Sequence, residues 1–219
     1  MTFTFKIKID GSSKPPIWRK VKVNSTISFD DFHLAIQVLF GWRNYHMYQF
    51  SPSGWRSTPC IMYIYEDDAE VEIRPLSDPD TFPYGERYDA EKIKLEDYFR
   101  QLKQKMVYIY DFGDDWKHTI ELIEVSDETV LYPVCLGGKG SNLEEDCGGI
   151  WGFYNMVEAI NDPKHPQHKE YREWLGMKRR EKWDLNAFDL EKTNEMLREV
   201  WGMNKMCFFR EKLKTTLVK

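Results

Sequence analysis

The chain has little that would tie it to a membrane or to a familiar catalytic loop. No run of about 18 apolar residues occurs in its 219 residues, and mean hydropathy is −0.62, so a transmembrane helix is excluded. Glycine (13) and proline (10) are too scarce for a collagenous or low-complexity chain. The four cysteines, at 60, 135, 147 and 207, form no Cys-x-x-Cys pair, which removes zinc ribbons and thioredoxin-type motifs. The formal charge is −5, so the chain as a whole is not built to coat nucleic acid. The Walker phosphate loop, the Gly-x-Gly-x-x-Gly fingerprint, the Gly-x-Ser-x-Gly elbow and His-Glu-x-x-His are all missing. Gly137-Gly138-Lys139-Gly140-Ser141 has the wrong spacing, and no helix directly follows it, so it is not a phosphate loop.

What is there reads as a globular protein. Hydrophobic residues make up 42% of the chain, charged residues 31% and aromatics 15%. That length buries roughly 70% of the unfolded chain's surface. Residues 1–10 alternate polar and apolar, as a strand does and a signal peptide does not, so a cytoplasmic protein with reduced thiols is expected. Phe3, Phe5, Ile7 and Ile9 share one face of a strand, and Ile17, Arg19, Val21 and Val23 share one face of the next. Turn residues 10–16 join the two as a hairpin. Arg19 is the anomaly on its apolar face, and needs an acidic partner or a route to water.

Ser28 suits a helix cap ahead of Phe29, Phe32, Ile36, Leu39 and Phe40, with Gly41 as the stop. Strands are expected at 45–50, 60–65, 71–74, 106–110, 116–125 and 130–135, with a short helix at 95–103. Residues 75–90 read as a long irregular connection, and 137–149 as a Gly-rich loop. Helices follow at about 150–161, 166–175 and 190–201. Strands mostly precede helices, so the expected class is α+β, with C-terminal helices packed on a mixed or antiparallel sheet. Residues 1–202 are read as one domain and 203–219 as a basic tail.

Charge is unevenly spread. Residues 106–147 hold ten acids and two bases, and 164–182 hold seven bases and three acids. The acidic window suggests a cation site or an electrostatic clasp, and the basic stretch and tail leave nucleic acid open as a partner. Period-2 alternation places His118 with Trp116, Ile120 and Leu122 on an apolar face, beside Asp111, Asp114 and Asp115. An inward imidazole next to carboxylates is a candidate metal ligand or general base. Asp114, Asp115, His118 and Asp146 form the candidate ligand set for a divalent metal, and Cys135 and Cys147 with His118 form a weaker zinc set. Glu144-Glu145-Asp146 lies just ahead of a helix, where carboxylates cap free N–H groups. His165 and His168 sit three apart on a helix and read as surface residues.

Several runs occur together and in order: Pro15-Pro16-Ile17-Trp18-Arg19, then Gly41-Trp42 with His46, then Tyr110-Asp111-Phe112-Gly113-Asp114-Asp115-Trp116 with His118. Tyr132-Pro133-Val134-Cys135-Leu136 and Glu145-Asp146-Cys147-Gly148-Gly149 complete the series. The chain resembles the plasmid pRiA4b open-reading-frame-three-like family over about residues 3–201. The resemblance implies a compact α+β domain and a family found on plasmids and mobile elements as well as chromosomes, with no established activity. This chain departs from the family in having Asn142-Leu143-Glu144 where Cys-Pro-Pro is common, and Tyr48 where a second His is common.

The expected binding cleft comprises Trp18, Arg19, Trp42, His46, Tyr110, Asp111, Asp114, Asp115, Trp116, His118, Glu145 and Asp146. In the leading reading these serve a binding or accessory module, with the acids pairing Arg19 and capping the helix at 150. In a second they hold a cation for hydrolysis, phosphodiesters included. In a third the protein binds nucleic acid through 164–182 and the tail. Whether it is an enzyme is left open.

Overall fold

The computed structural model describes residues 1–64 and 87–202. The expected strand at 71–74, most of the 75–90 connection and the basic tail lie outside the described residues. Eight strands form one sheet in the order β5-β4-β3-β6-β7-β1-β2-β8. They are β1 Thr2–Ile9, β2 Trp18–Asn24, β3 Tyr48–Ser51, β4 Cys60–Met62, β5 Arg87–Asp89, β6 Lys105–Tyr110, β7 Trp116–Ser126 and β8 Val134–Lys139. Only β4 and β5 pair in parallel, so the sheet is mixed and the fold α+β. The helices are α1 Phe29–Phe40, α2 Leu95–Tyr98, α3 Gly149–Asn161, α4 His168–Trp174 and α5 Leu190–Gly202. None of the described helices is long and apolar enough to cross a membrane.

Alternation decides which face of the sheet is covered. Phe5 lies opposite Leu122, Ile7 opposite Ile120 and Ile9 opposite His118, all buried on one face. Lys6, Lys8, Lys20 and Lys117 point the other way, as expected for a sheet solvated on one side. The covered face meets α1, whose Phe29, Phe32, Ile36, Leu39 and Phe40 are fully buried. Each such side chain contributes about 1.5–3 kcal/mol relative to exposure. Ser28 Oγ accepts the Asp31 N–H at 3.0 Å and so caps α1. The opposite end stops at Gly41, as the sequence suggested.

Arg19 takes neither route expected of it. It is fully buried and, among the described residues, has no acidic partner within salt-bridge reach. Its guanidinium donates to the carbonyls of Leu39 (2.8 Å), Lys139 (2.8 Å), Trp18 (2.9 Å) and Ser141 (3.3 Å). It lies against the rings of Phe40 and Phe188 at 5.1 and 4.2 Å. Leu39 is in the last turn of α1, where carbonyls lack helical partners and a cation is favoured. Burial lowers the pKa of Arg19 to about 10, which leaves it charged at neutral pH. Gly138 makes the arrangement possible, because a Cβ there would stand 2.8 Å from both Arg19 Cδ and the Phe188 ring. This is also why β8 runs to Lys139 through glycines that read as loop, instead of spanning 130–135.

Two further boundaries moved. The strand expected from Tyr45 starts at Tyr48, and the helix expected over 95–103 closes after one turn. Asn44 adopts positive φ in the loop ahead of β3, and Phe99 turns to extended backbone straight after Tyr98, which closes α2.

Arg19→Ala leaves several buried carbonyls unpaired, each costing about 1–3 kcal/mol. Urea unfolding should show a loss of at least about 3 kcal/mol. Arg19→Lys should recover only part of it, since an ammonium cannot reproduce the planar fork.

Candidate functional site

Three loops meet at one end of the covered face, and each is fixed by its own polar contacts. The first runs from Gly41 to Met47. Asn44 N donates to Gln37 Oε1, and Asn44 Oδ1 lies 2.8 Å from His33 Nε2. His33 Nδ1 is 2.8 Å from the Tyr108 hydroxyl, which also receives Gln37 Nε2 at 3.0 Å. These roles are consistent if His33 carries its proton on Nε2. Burial holds its pKa down near 3, so it stays neutral.

The second loop is the β6–β7 turn. Asp111 Oδ1 accepts the N–H groups of Gly113 (2.9 Å) and Asp114 (3.3 Å), and Asp111 itself adopts positive φ. The backbone N–H of Asp111 donates to Met47 O, which ties this turn to the first loop. The third loop, 144–149, is drawn in by two carboxylates. Asp114 Oδ2 accepts from the N–H groups of Cys147 (3.1 Å) and Gly148 (3.0 Å) at the start of α3. Glu145, almost fully buried, accepts from the Tyr110 hydroxyl and from Arg43 N. Burial, reinforced by Glu145, raises the Tyr110 pKa and keeps it a donor. Gly149 adopts positive φ, and a Cβ there would come within 2.3 Å of Asp114 O, so the close approach of α3 to the turn requires glycine.

The outcome is a cluster of His46, Asp111 and Asp146. His46 Nε2 stands 3.3 Å from Asp146 Oδ1 and 3.6 Å from Asp111 Oδ2. One ligand atom from each of the three lies within 4.8 Å of the others. His46 Nε2 is inaccessible to solvent, yet among the described residues no hydrogen bond satisfies it. Donor atoms about 2.1 Å from one shared ion would stand roughly 3.0–3.5 Å apart at octahedral to tetrahedral angles. One imidazole with two carboxylates suits a borderline divalent ion such as Zn²⁺ or Mn²⁺. Asp111 is enclosed while the Asp146 side chain is 63% exposed, so the cluster opens outward on one side.

Asp146 also borders a groove of about 1490 Å³. Arg43 and Glu144, which pair with each other, line it beside Asp146, and Trp174, Trp183 and Phe188 line it from the C-terminal segments.

The family model for the plasmid pRiA4b ORF-3-like proteins matches residues 1–192. The chain belongs to this family. A similar protein, the uncharacterized protein y4hQ of Sinorhizobium fredii (strain NBRC 101917 / NGR234), is 29% identical over 191 residues, covering 86% of this chain and 89% of its own. The crystal structure of a protein of unknown function, MM3350 from Methanosarcina mazei Go1, superposes with a TM-score of 0.66 at 28% identity. That match covers 87% of this chain and 96% of the other. Neither relative brings an activity with it.

The residues singled out from the sequence separate into distinct roles. His46, Asp111 and Asp146 come together. His118 does not join them. It lies fully buried, its Nδ1 2.8 Å from Trp116 O and its ring against Phe40 and Tyr108. Trp42, Tyr110 and Trp116 form the aromatic wall behind the cluster, with Trp42 and Trp116 rings 4.8 Å apart. Asp115 accepts from Trp55 Nε1 at 2.8 Å. Trp18 faces the solvated side of the sheet beneath Lys6, and Arg19 serves the sheet and α1. No side chain caps α3, neither the neighbouring Glu144, Glu145 or Asp146 nor any other; Asp114 instead accepts from Cys147 N and Gly148 N, just ahead of the helix. Among the described residues no cysteine joins a metal-capable group. Burial, with Asp114 and Glu144 close by, pushes the Cys147 thiol up to about 12, which leaves it unreactive at neutral pH. Arg43 and the groove aromatics were not singled out from the sequence, and Glu144 was read there only as a helix cap. The helix stop at Gly41 followed by Asn44 was the available signal that His46 belongs to a loop.

Asp114→Ala removes two charge-assisted bonds at the head of α3 and should cost about 2–3 kcal/mol in chemical denaturation. A separate expectation concerns acid. His33 and His118 both have pKa values lowered from 6.5 to about 3, chiefly by burial. The unfolded chain therefore binds more protons below pH 6.5, so their contribution is fully present above that pH and is lost progressively toward pH 3. His118→Leu should reduce the slope of stability against pH, between pH 6.5 and 5, by about 1.4 kcal/mol per pH unit.

Proposed function

We propose that this protein is a binding module whose working centre is a divalent cation held by His46, Asp111 and Asp146. The observation that carries this is the inaccessible His46 Nε2, without a hydrogen bond among the described residues, at 3.3 and 3.6 Å from two carboxylates. Three protein ligands leave coordination positions free for water or a ligand group on the exposed Asp146 side. The family's plasmid association supports an accessory role in mobile-element biology.

The hydrolase reading uses the same cluster, with a metal-bound water as nucleophile. Phosphodiester substrates are poorly matched to the adjoining groove, whose lining carries seven carboxylates against three bases. Such a wall repels a polyanion. The binding reading is therefore the stronger of the two.

Equilibrium dialysis against Mn²⁺ and Zn²⁺, with elemental analysis of protein purified without chelator, tests the proposal. One ion per chain is expected, with at least about a hundredfold weaker binding in His46→Gln and in Asp146→Asn and unchanged thermal unfolding of the metal-free variants. Equal binding by wild type and both variants, or no saturable binding by wild type, would overturn it.

A further inference from the structure

The groove beside the cation cluster has chemistry of its own. We infer that it is a docking surface for a basic amphipathic peptide segment, one that presents Lys or Arg side chains next to a row of apolar ones. This goes beyond the cation proposal and does not depend on a bound metal.

Size is the first argument. At about 1490 Å³ the groove exceeds the range of roughly 300–1,000 Å³ usual for small-molecule sites, and suits a length of polypeptide. Charge is the second. Seven carboxylates and three bases line it, and one of those bases, Arg43, is already paired with Glu144. The basic run 178–180 is not part of the lining. Two of the carboxylates are held in place by backbone donors. Asp184 Oδ1 accepts Asn186 N, and Asp189 Oδ1 accepts Lys192 N, both at 2.9 Å. Fixed carboxylates lose little freedom when a cation arrives, which favours recognition of a basic partner. The third argument is apolar surface lying among these charges. Trp174 is 48% exposed and Leu190 39% exposed, at the ends of α4 and α5. An exposed indole beside anchored acids is the combination that a helix-in-groove or extended peptide uses for anchoring. Nucleic acid would meet the same carboxylates as repulsion.

Fluorescence anisotropy on the full chain tests this, with a labelled synthetic peptide of about 18 residues bearing leucine and lysine at helical spacing. A control peptide has glutamate in place of every lysine. The lysine peptide should bind at least about tenfold more tightly than the control, and its affinity should fall with added salt. Trp174→Ala, and separately the double reversal Glu173→Lys with Glu191→Lys, should each weaken it about tenfold or more. The reversal Glu124→Lys with Asp127→Lys, outside the groove, should change it less than twofold. All these variants keep His46, Asp111 and Asp146, so their Mn²⁺ binding should match wild type, which separates failure of this inference from failure of the cation reading. Equal binding of both peptides, indifference to the groove variants, or competition by a duplex oligonucleotide for the same surface would overturn it. So would concentration-dependent self-association abolished by Trp174→Ala, which would make the groove an interface between copies.

Discussion

Two carboxylates hold the functional end of this molecule together. Asp114 reaches from the β6–β7 turn to the N–H groups of Cys147 and Gly148, just ahead of α3, and the buried Glu145 reaches back to Tyr110 and to the backbone of Arg43. Between them they fix the 144–149 segment against the sheet. Asp146 lies in the segment so held, and its carboxylate faces Asp111 and His46. Each bond is charge-assisted, and the one between Glu145 and Tyr110 is buried, the setting in which such bonds are strongest. Gly149 is the steric condition for all of this, because any side chain there would collide with the Asp114 carbonyl.

A second constraint lies at the C-terminal end of α1. Arg19 joins β2, β8, the last turn of α1 and the Phe188 segment through carbonyl and ring contacts. Phe188 also lines the groove. The same guanidinium that closes the sheet margin therefore sets one wall of the proposed docking surface. Cation site and groove share Asp146 and one electrostatic character, a surplus of oxygen anions.

Much of the fold was legible because its pattern is local. Alternation along Phe3–Ile9 and Trp116–Leu122, the Ser28 cap and the Gly41 stop all depend on neighbours within a few residues. The failures are long-range. His46 continues the alternation of Tyr48 and Phe50, yet Asn44 turns the chain and Tyr45 N bonds the Tyr110 hydroxyl, so the imidazole lies in the loop before β3. His118 reads as an inward ligand and is inward, but the aromatic rings of Phe40 and Tyr108 surround it instead of carboxylates. Proximity in sequence pointed to Glu144–Asp146 as the cap of α3, whereas no side chain caps it and the acid that binds the chain just ahead of it is 33 residues from Cys147. Arg19 was visible as an anomaly, but carbonyl partners leave no trace in a sequence.

The most direct test of the account is pulsed electron paramagnetic resonance of the Mn²⁺-loaded protein, which detects nitrogen bound to the ion. The account predicts modulation from a single imidazole nitrogen in the wild type, lost in His46→Gln and retained in His118→Leu. An ion that shows no nitrogen coupling in the wild type, or coupling that survives in His46→Gln, would contradict it.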